Sequence, residues 1–257
     1  MRNGLPTKGV RVTTRYGRGG GLVNAIWLIL SIFLAGINGI AAADAKPARI
    51  LAIGTSLTQG YNLPPGRDFT AVLQAQLKAK GHDVTVVNAG VSGDTSAGGL
   101  ARLDWALGED FDGVIVELGS NDALRGLGVE QTRTNLDQVL TKLKTRKVAV
   151  LFTGMKSPRN LGPEYVAAFD AVYPELAKKH GVLFYPFFLE GVAANLKLNQ
   201  ADGIHPNEEG TKVIVRGMLP YVEKLLAKID AVAEAGSIVS PSKHGAASHD
   251  HSRFCQP

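Results

Sequence analysis

A single cysteine, Cys255, is the only thiol among the 257 residues, so no internal disulfide can form and stability has to come from a hydrophobic core in any compartment. Acidic side chains are missing altogether from residues 1–43, where Arg2, Lys8, Arg11, Arg15 and Arg18 stand without counter-charge. Those five cations account for the whole formal charge of +5, because beyond them 23 basic side chains face 23 acidic ones. The basic balance therefore belongs to the leader, and nucleic acid is excluded as an expected partner of the folded domain. Neither a G-x-x-x-x-G-K-[ST] phosphate loop nor a G-x-G-x-x-G turn occurs, which removes the common nucleotide-binding readings.

What is present begins with an apolar run over residues 22–43 that follows the cationic segment and ends in Ala41-Ala42-Ala43. Small residues at that point suit a signal peptidase, so residues 1–43 read as a cleaved secretory signal, and a periplasmic or secreted location is expected. The competing reading is a retained membrane anchor, against which Asn24 and Asn38 would each be costly in hydrocarbon. There is no adjacent Arg-Arg pair and no cysteine near the cleavage region to carry a lipid. Residues 231–257 are rich in Gly, Ser, Ala and His and read as a flexible tail. Its His244, His249, His251 and Cys255 match no closed zinc spacing, so no metal is expected there.

Residues 44–230 remain as one domain, with 45% hydrophobic and 20% charged residues in the whole chain, a globular composition. Short apolar runs at residues 49–53, 84–88, 113–118, 147–152 and 182–185 predict five strands buried on both faces. Longer amphipathic stretches at 68–80, 98–107, 131–145, 163–179 and 208–228 predict helices between and after them. Alternation of this kind implies an α/β fold, a three-layer α/β/α sandwich on a five-stranded parallel sheet. In such sheets chemistry collects beyond the carboxyl ends of the strands, so the residues that follow each strand carry the functional information.

After the first strand comes Gly54-Thr55-Ser56-Leu57, which sets a serine where a strand turns toward a helix. Thr58 occupies the place of the second glycine of a G-x-S-x-G elbow, which weakens the common α/β-hydrolase reading. After the second strand, Gly90 opens a run of small residues whose N–H groups a ligand can approach, and after the third, Asn121 offers an amide donor. Beyond the last strand, Asp202-Gly203-Ile204-His205 puts a carboxylate three residues before an imidazole that it can orient toward a nucleophile. Each block alone reads as ordinary turn or capping chemistry; the signal is that all four fall at one edge of the sheet. His82 and His180 sit beside glycines at helix ends, where a cap or dipole role accounts for them.

These four blocks resemble those of the SGNH (GDSL-like) hydrolases, over residues 48 to about 228. Stretches such as Val91-Ser92-Gly93-Asp94-Thr95-Ser96 and Asp202-Gly203-Ile204-His205-Pro206-Asn207 are similar to the bacterial periplasmic group of thioesterase I, protease I, lysophospholipase and arylesterase enzymes. The resemblance implies a flavodoxin-like fold with Ser56 as nucleophile, His205 as its base and Asp202 behind it. It also implies an oxyanion hole from Ser56, Gly90 and Asn121, and chemistry that needs no metal or organic cofactor. The family block usually reads Gly-Asp-Ser-Leu, and Thr55 replaces its aspartate here with a weaker, neutral acceptor, which implies retained but altered activity.

The substrates implied are small-molecule esters or lipids: aryl esters, short or medium acyl esters, thioesters or lysophospholipids. Leu118, Leu124, Leu127, Met155 and Phe187 are candidates for an apolar groove, with Leu118 equally at home in the core. Contact with a membrane is expected only through an uncleaved leader. A carbohydrate O-acetylesterase is the nearest alternative, followed by a domain that binds glycans or lipids with little or no turnover.

Overall fold

A computed structural model describes residues 46–238 except residue 109, and from residue 233 onward only the backbone. The leader and the histidines and cysteine of the tail lie outside the described residues. Within them five strands form one sheet: β1 (Ala48–Gly54), β2 (Val84–Gly90), β3 (Gly113–Glu117), β4 (Ala149–Thr153) and β5 (Leu183–Tyr185). All are parallel, in the order β2-β1-β3-β4-β5. The strand assignments read from apolar runs therefore hold to within two residues. β2 runs two residues past the expected 88, and β4 starts at Ala149 rather than 147 because Lys147, at φ 57°, still belongs to the left-handed exit of the preceding helix.

The helices are α1 (Ser56–Gln59), α2 (Phe69–Ala79), α3 (Ser96–Ala106), α4 (Ser120–Leu124), α5 (Val129–Thr145), α6 (Pro163–His180) and α7 (Glu208–Ile238), with a 3₁₀ turn at Arg159–Leu161. Helices α2 and α7 pack together on one side of the sheet, and α3, α5 and α6 on the other, giving the three layers. Local sequence starts them: Asp68 accepts from the Thr70 and Ala71 N–H groups ahead of α2, and Thr95 accepts from Gly98 ahead of α3. The Thr95 cap begins α3 at Ser96, two residues before the sequence reading.

Two differences from the sequence reading have physical causes. The short helices α1 and α4 were not expected, since four or five residues carry no amphipathic period to read. Helix α7 runs to Ile238 rather than 228, so the start of the expected tail, residues 231–238, is helical. Ile229 anchors this extension, packing close to Gly113 at the foot of β3.

The core is continuous through the sheet, with Ile50, Ile53, Val114, Ile115, Val116, Leu151 and Phe152 all fully or almost fully buried. Leu118, the candidate shared between groove and core, belongs to this core, at 0% exposed. Truncating such a side chain removes transfer energy and leaves a cavity, so Leu151→Ala is expected to cost about 2–5 kcal/mol. Urea denaturation of the two proteins measures it.

Candidate active site

Strand order reverses beside β1: the chain passes from β1 to β2 on one side and returns to β3 on the other. The carboxyl ends of β1 and β3 border the crevice that such a reversal leaves, the usual ligand position in an open parallel sheet. Ser56 is the first residue of α1, directly after β1, and Asn121 is in the first turn of α4, directly after β3. Although 149 residues separate them, His205 Nε2 lies 2.9 Å from Ser56 Oγ. On its other side His205 Nδ1 lies 2.7 Å from Asp202 Oδ2. Hydroxyl, imidazole and carboxylate form one hydrogen-bonded line.

Asp202 is set by its own loop. Its Oδ1 accepts the backbone N–H groups of Ile204 at 2.9 Å and His205 at 3.0 Å while Oδ2 faces the ring. The His205 N–H, then the ring, then the Ile204 N–H stabilise the charged form and hold the carboxyl down to about 2. Gln200, which the sequence reading did not single out, pins the loop: its Nε2 donates to the Tyr61 carbonyl at 2.8 Å and the Pro206 carbonyl at 3.0 Å. Tyr61 covers the imidazole, with ring centroids 4.6 Å apart. No local pattern could have revealed how Tyr61 joins the site, because the Gln200–Tyr61 bond and the Tyr61–His205 contact each span 139 or more residues of chain.

Gly90 occupies a position only glycine can fill. A Cβ there would lie 2.2 Å from the Gln59 nitrogen and 2.8 Å from the Thr55 carbonyl oxygen, both backbone atoms around α1. Asn88 clamps the same junction, donating to the Thr58 carbonyl at 2.9 Å and to Asp68 at 3.1 Å. The Gly90 N–H, expected to face a carbonyl oxygen, instead donates to Asn88 Oδ1 at 2.9 Å. Asn121 gives one amide hydrogen to the Asp94 carbonyl at 2.8 Å, which leaves the second. The Ser56 N–H has no acceptor among the described residues.

Beneath the serine the structure explains Thr55. Its hydroxyl oxygen is the weak, neutral acceptor expected, taking the Leu57 N–H at 3.4 Å, and its hydrogen goes to Glu117 at the end of β3, 3.1 Å from either carboxyl oxygen. Glu117 is fully buried, and desolvation pushes its carboxyl up to about 7 against the hydrogen bonds that favour the charged form. Because this folded value lies above the ordinary 4.5, its contribution to stability is fullest below the unfolded value and is lost as pH rises through about 7. Asp122, also buried, accepts from the Ser96 N–H at 2.7 Å and from the Thr132 hydroxyl at 3.2 Å, tying α4 to α3 and α5.

A cavity of about 570 Å³ opens against Ser56 and His205, and Asn121, Leu124, Met155 and Phe187 line it as expected. The volume suits a small or medium organic ligand. Leu127 does not line it; the backbone of this residue is held by Asp122 and by the Tyr165 hydroxyl, 2.7 Å from its carbonyl, and its side chain is 38% exposed elsewhere. His180 lies in the last turn of α6 and the His82 N–H donates back to the Leu77 carbonyl of α2, as the cap or dipole reading has them, and each ring also meets a carboxylate. His180 Nε2 lies 2.7 Å from Asp137, and His82 lies 3.7 Å from Glu223.

The chain is similar to known proteins. Residues 52–213 match the model of the GDSL-like lipase/acylhydrolase family. Esterase TesA of Pseudomonas aeruginosa is 39% identical over 184 residues, covering 71% of this chain and 92% of that one. Thioesterase 1/protease 1/lysophospholipase L1 of Escherichia coli K12 is 38% identical over 202 residues, 78% of this chain and 91% of that one. Among solved structures, the SGNH-hydrolase family esterase AlinE4 superposes with a TM-score of 0.61 at 41% identity, covering 72% of this chain and 99% of that one.

Two outcomes follow from the geometry. The Asp202 carboxyl should titrate near pH 2 in a ¹³C NMR experiment, so the contribution of its ionised form is present above the ordinary 3.8 and disappears only as pH falls through about 2; a midpoint at 3.8 would contradict the bonding described. Gly90→Ala should push α1 away from β2 and cost on the order of 1–3 kcal/mol in urea denaturation.

Proposed function

As a member of the GDSL-like lipase/acylhydrolase family the chain is an ester hydrolase, and from that premise we propose that it works outside the cytoplasm by forming an acyl-enzyme on Ser56. The observation that carries this reading is the unbroken line Ser56 Oγ to His205 Nε2 to Asp202 at 2.9 Å and 2.7 Å. His205 takes the Ser56 proton as the hydroxyl oxygen attacks the ester carbonyl. Asp202, ionised at every working pH, keeps the ring in the tautomer that presents Nε2 and stabilises the imidazolium.

Negative charge then gathers on the carbonyl oxygen. The free Ser56 N–H and the second Asn121 amide hydrogen receive it, and the Gly90 N–H joins them by turning from, or sharing, its bond to Asn88. His205 next hands the proton to the departing alcohol or thiol, and the same cycle with water releases the acid and frees Ser56. Leu124, Met155 and Phe187 give the acyl chain an apolar wall, which favours short to medium acyl esters, aryl esters, thioesters and lysophospholipids over polar glycan esters.

For location, the support is the leader composition: a cationic start, an apolar run and three alanines at its end. Among the described residues no helix is long and apolar enough to cross a membrane.

Purified mature protein should hydrolyse nitrophenyl esters, with Ser56→Ala and His205→Ala each lowering kcat on the order of 10⁴-fold. Asn121→Ala should lower it by ~10²-fold to ~10³-fold with little change in KM. A fluorophosphonate probe should label the wild type and spare Ser56→Ala; equal labelling of both would refute Ser56 as the nucleophile. Release of acetate from acetylated glycans, with no turnover of longer acyl chains, would establish the O-acetylesterase reading instead.

A further inference from the structure

Glu117 is a fully buried carboxyl to which the mechanism above gives no task. It ends β3, beside β1, and looks into the turn that presents Ser56. Its Oε2 accepts the Thr55 N–H at 2.9 Å and the Thr58 hydroxyl at 2.8 Å, and the Thr55 hydroxyl lies 3.1 Å from both oxygens. Gly54 makes this approach possible, since a Cβ there would sit 2.6 Å from Glu117 Oε2 and 2.1 Å from Thr58 Oγ1. One carboxyl group thus grips the residue before the proposed nucleophile and the second residue after it.

The direction of those bonds depends on charge. A carboxylate only accepts, so every donor can point at it; a carboxylic acid must place its own hydrogen against one of the same donors. The donor set is complete only for the ionised form. Protonation forces at least one threonine hydroxyl to turn, which weakens the hold of Glu117 on Thr55 and so on the Ser56 N–H that follows it. Resting on the reading of Ser56 as nucleophile, we propose that Glu117 is the positioning residue of this turn: its carboxylate aims the Ser56 N–H and Oγ, and protonating it slackens both.

Other titratable groups around it are already engaged. Tyr173 of α6 donates to the Leu118 carbonyl at 3.1 Å, Arg102 of α3 donates to the Gly54 carbonyl at 2.9 Å while paired with Asp94 at 2.6 Å, and Asp122 of α4 is held by Ser96 and Thr132. The hydrogen bonds on Glu117 come from Thr55 and Thr58, and among the described residues no cation pairs with it. Its proton therefore exchanges near neutral pH, where burial has moved it.

The test removes the imidazole beside Ser56, so that the response of the turn to Glu117 is read by itself. In His205→Ala protein, the ¹⁵N–¹H resonance of Ser56 is followed from pH 5 to 9 together with the Glu117 carboxyl ¹³C signal. The two are expected to share one midpoint, and adding Glu117→Gln should leave the Ser56 resonance flat. A flat Ser56 resonance while the Glu117 carboxyl titrates would overturn the proposal, and this arm needs neither activity nor a folded Gln variant.

In otherwise wild-type protein, Glu117→Gln is expected to lower kcat for a nitrophenyl ester about tenfold or more at pH 8, to leave KM within about twofold, and to remove one ionisation from the kcat profile. A folded Glu117→Gln protein with the wild-type kcat and profile would equally refute it. Wild-type protein inactive on every ester would instead refute the acyl-enzyme reading, with the NMR arm still deciding the role of Glu117.

Discussion

Reversal of strand order beside β1 is the constraint from which the site follows. Because β1 lies inside the sheet with β2 and β3 on opposite sides, three strand ends deliver Ser56, Gly90 and Asn121 to one edge. Parallel pairing sets their heights: Gly54 is level with Gly90 across β1 and β2, and with Glu117 across β1 and β3. A slip of one residue in either ladder would turn the serine loop away from its partners. The apolar runs of β1, β3 and β4, buried on both faces, and the buried Val84 and Val86 that alternate with exposed residues in the edge strand β2 oppose such a slip, so the core holds the register on which the chemistry depends.

Polar groups at that edge, Glu117 and Asp122 among them fully buried, do a second job. Glu117 joins β3 to the serine turn, Asp122 joins α4 to α3 and α5, and Asn88 joins β2 to α1 and α2. Burying a carboxyl is costly unless its hydrogen-bonding capacity is met. Both acids are satisfied by neighbouring hydroxyls and N–H groups, and no buried side-chain nitrogen or oxygen among the described residues lacks a partner. The bonds that offset desolvation are also those that fix the loops, so site geometry and local stability come from one network.

Asp202 and Glu117 show how environment divides two carboxyl groups of like intrinsic acidity. Asp202 is partly exposed and takes two backbone N–H groups and the imidazole, so it is ionised down to about 2. Glu117 has donors too, but full burial outweighs them and lifts it to about 7. The first is a constant charge behind His205, while the second changes state within the range where enzymes of this chemistry work.

Much of this was legible in the chain itself, because the signals are local. Five apolar runs, helical periods between them, and small or polar residues after each strand determined the layered fold, and the spacing of Asp202 and His205 determined their pairing. The sequence alone also singled out Ser56, Asn121, Leu124, Met155 and Phe187, which the structure gathers around one cavity. Only the tertiary structure decided the rest: that Gln200 and Tyr61 hold the imidazole, that the Gly90 N–H already has Asn88, that Leu127 lies outside the cavity, and that Thr55 gives its hydroxyl to Glu117. Most of these contacts join residues far apart in the chain, and even the bond between Gly90 and Asn88 depends on where the fold points a side chain. Periodicity and spacing record what a segment does by itself, while the partner of a buried donor is fixed only when the sheet closes.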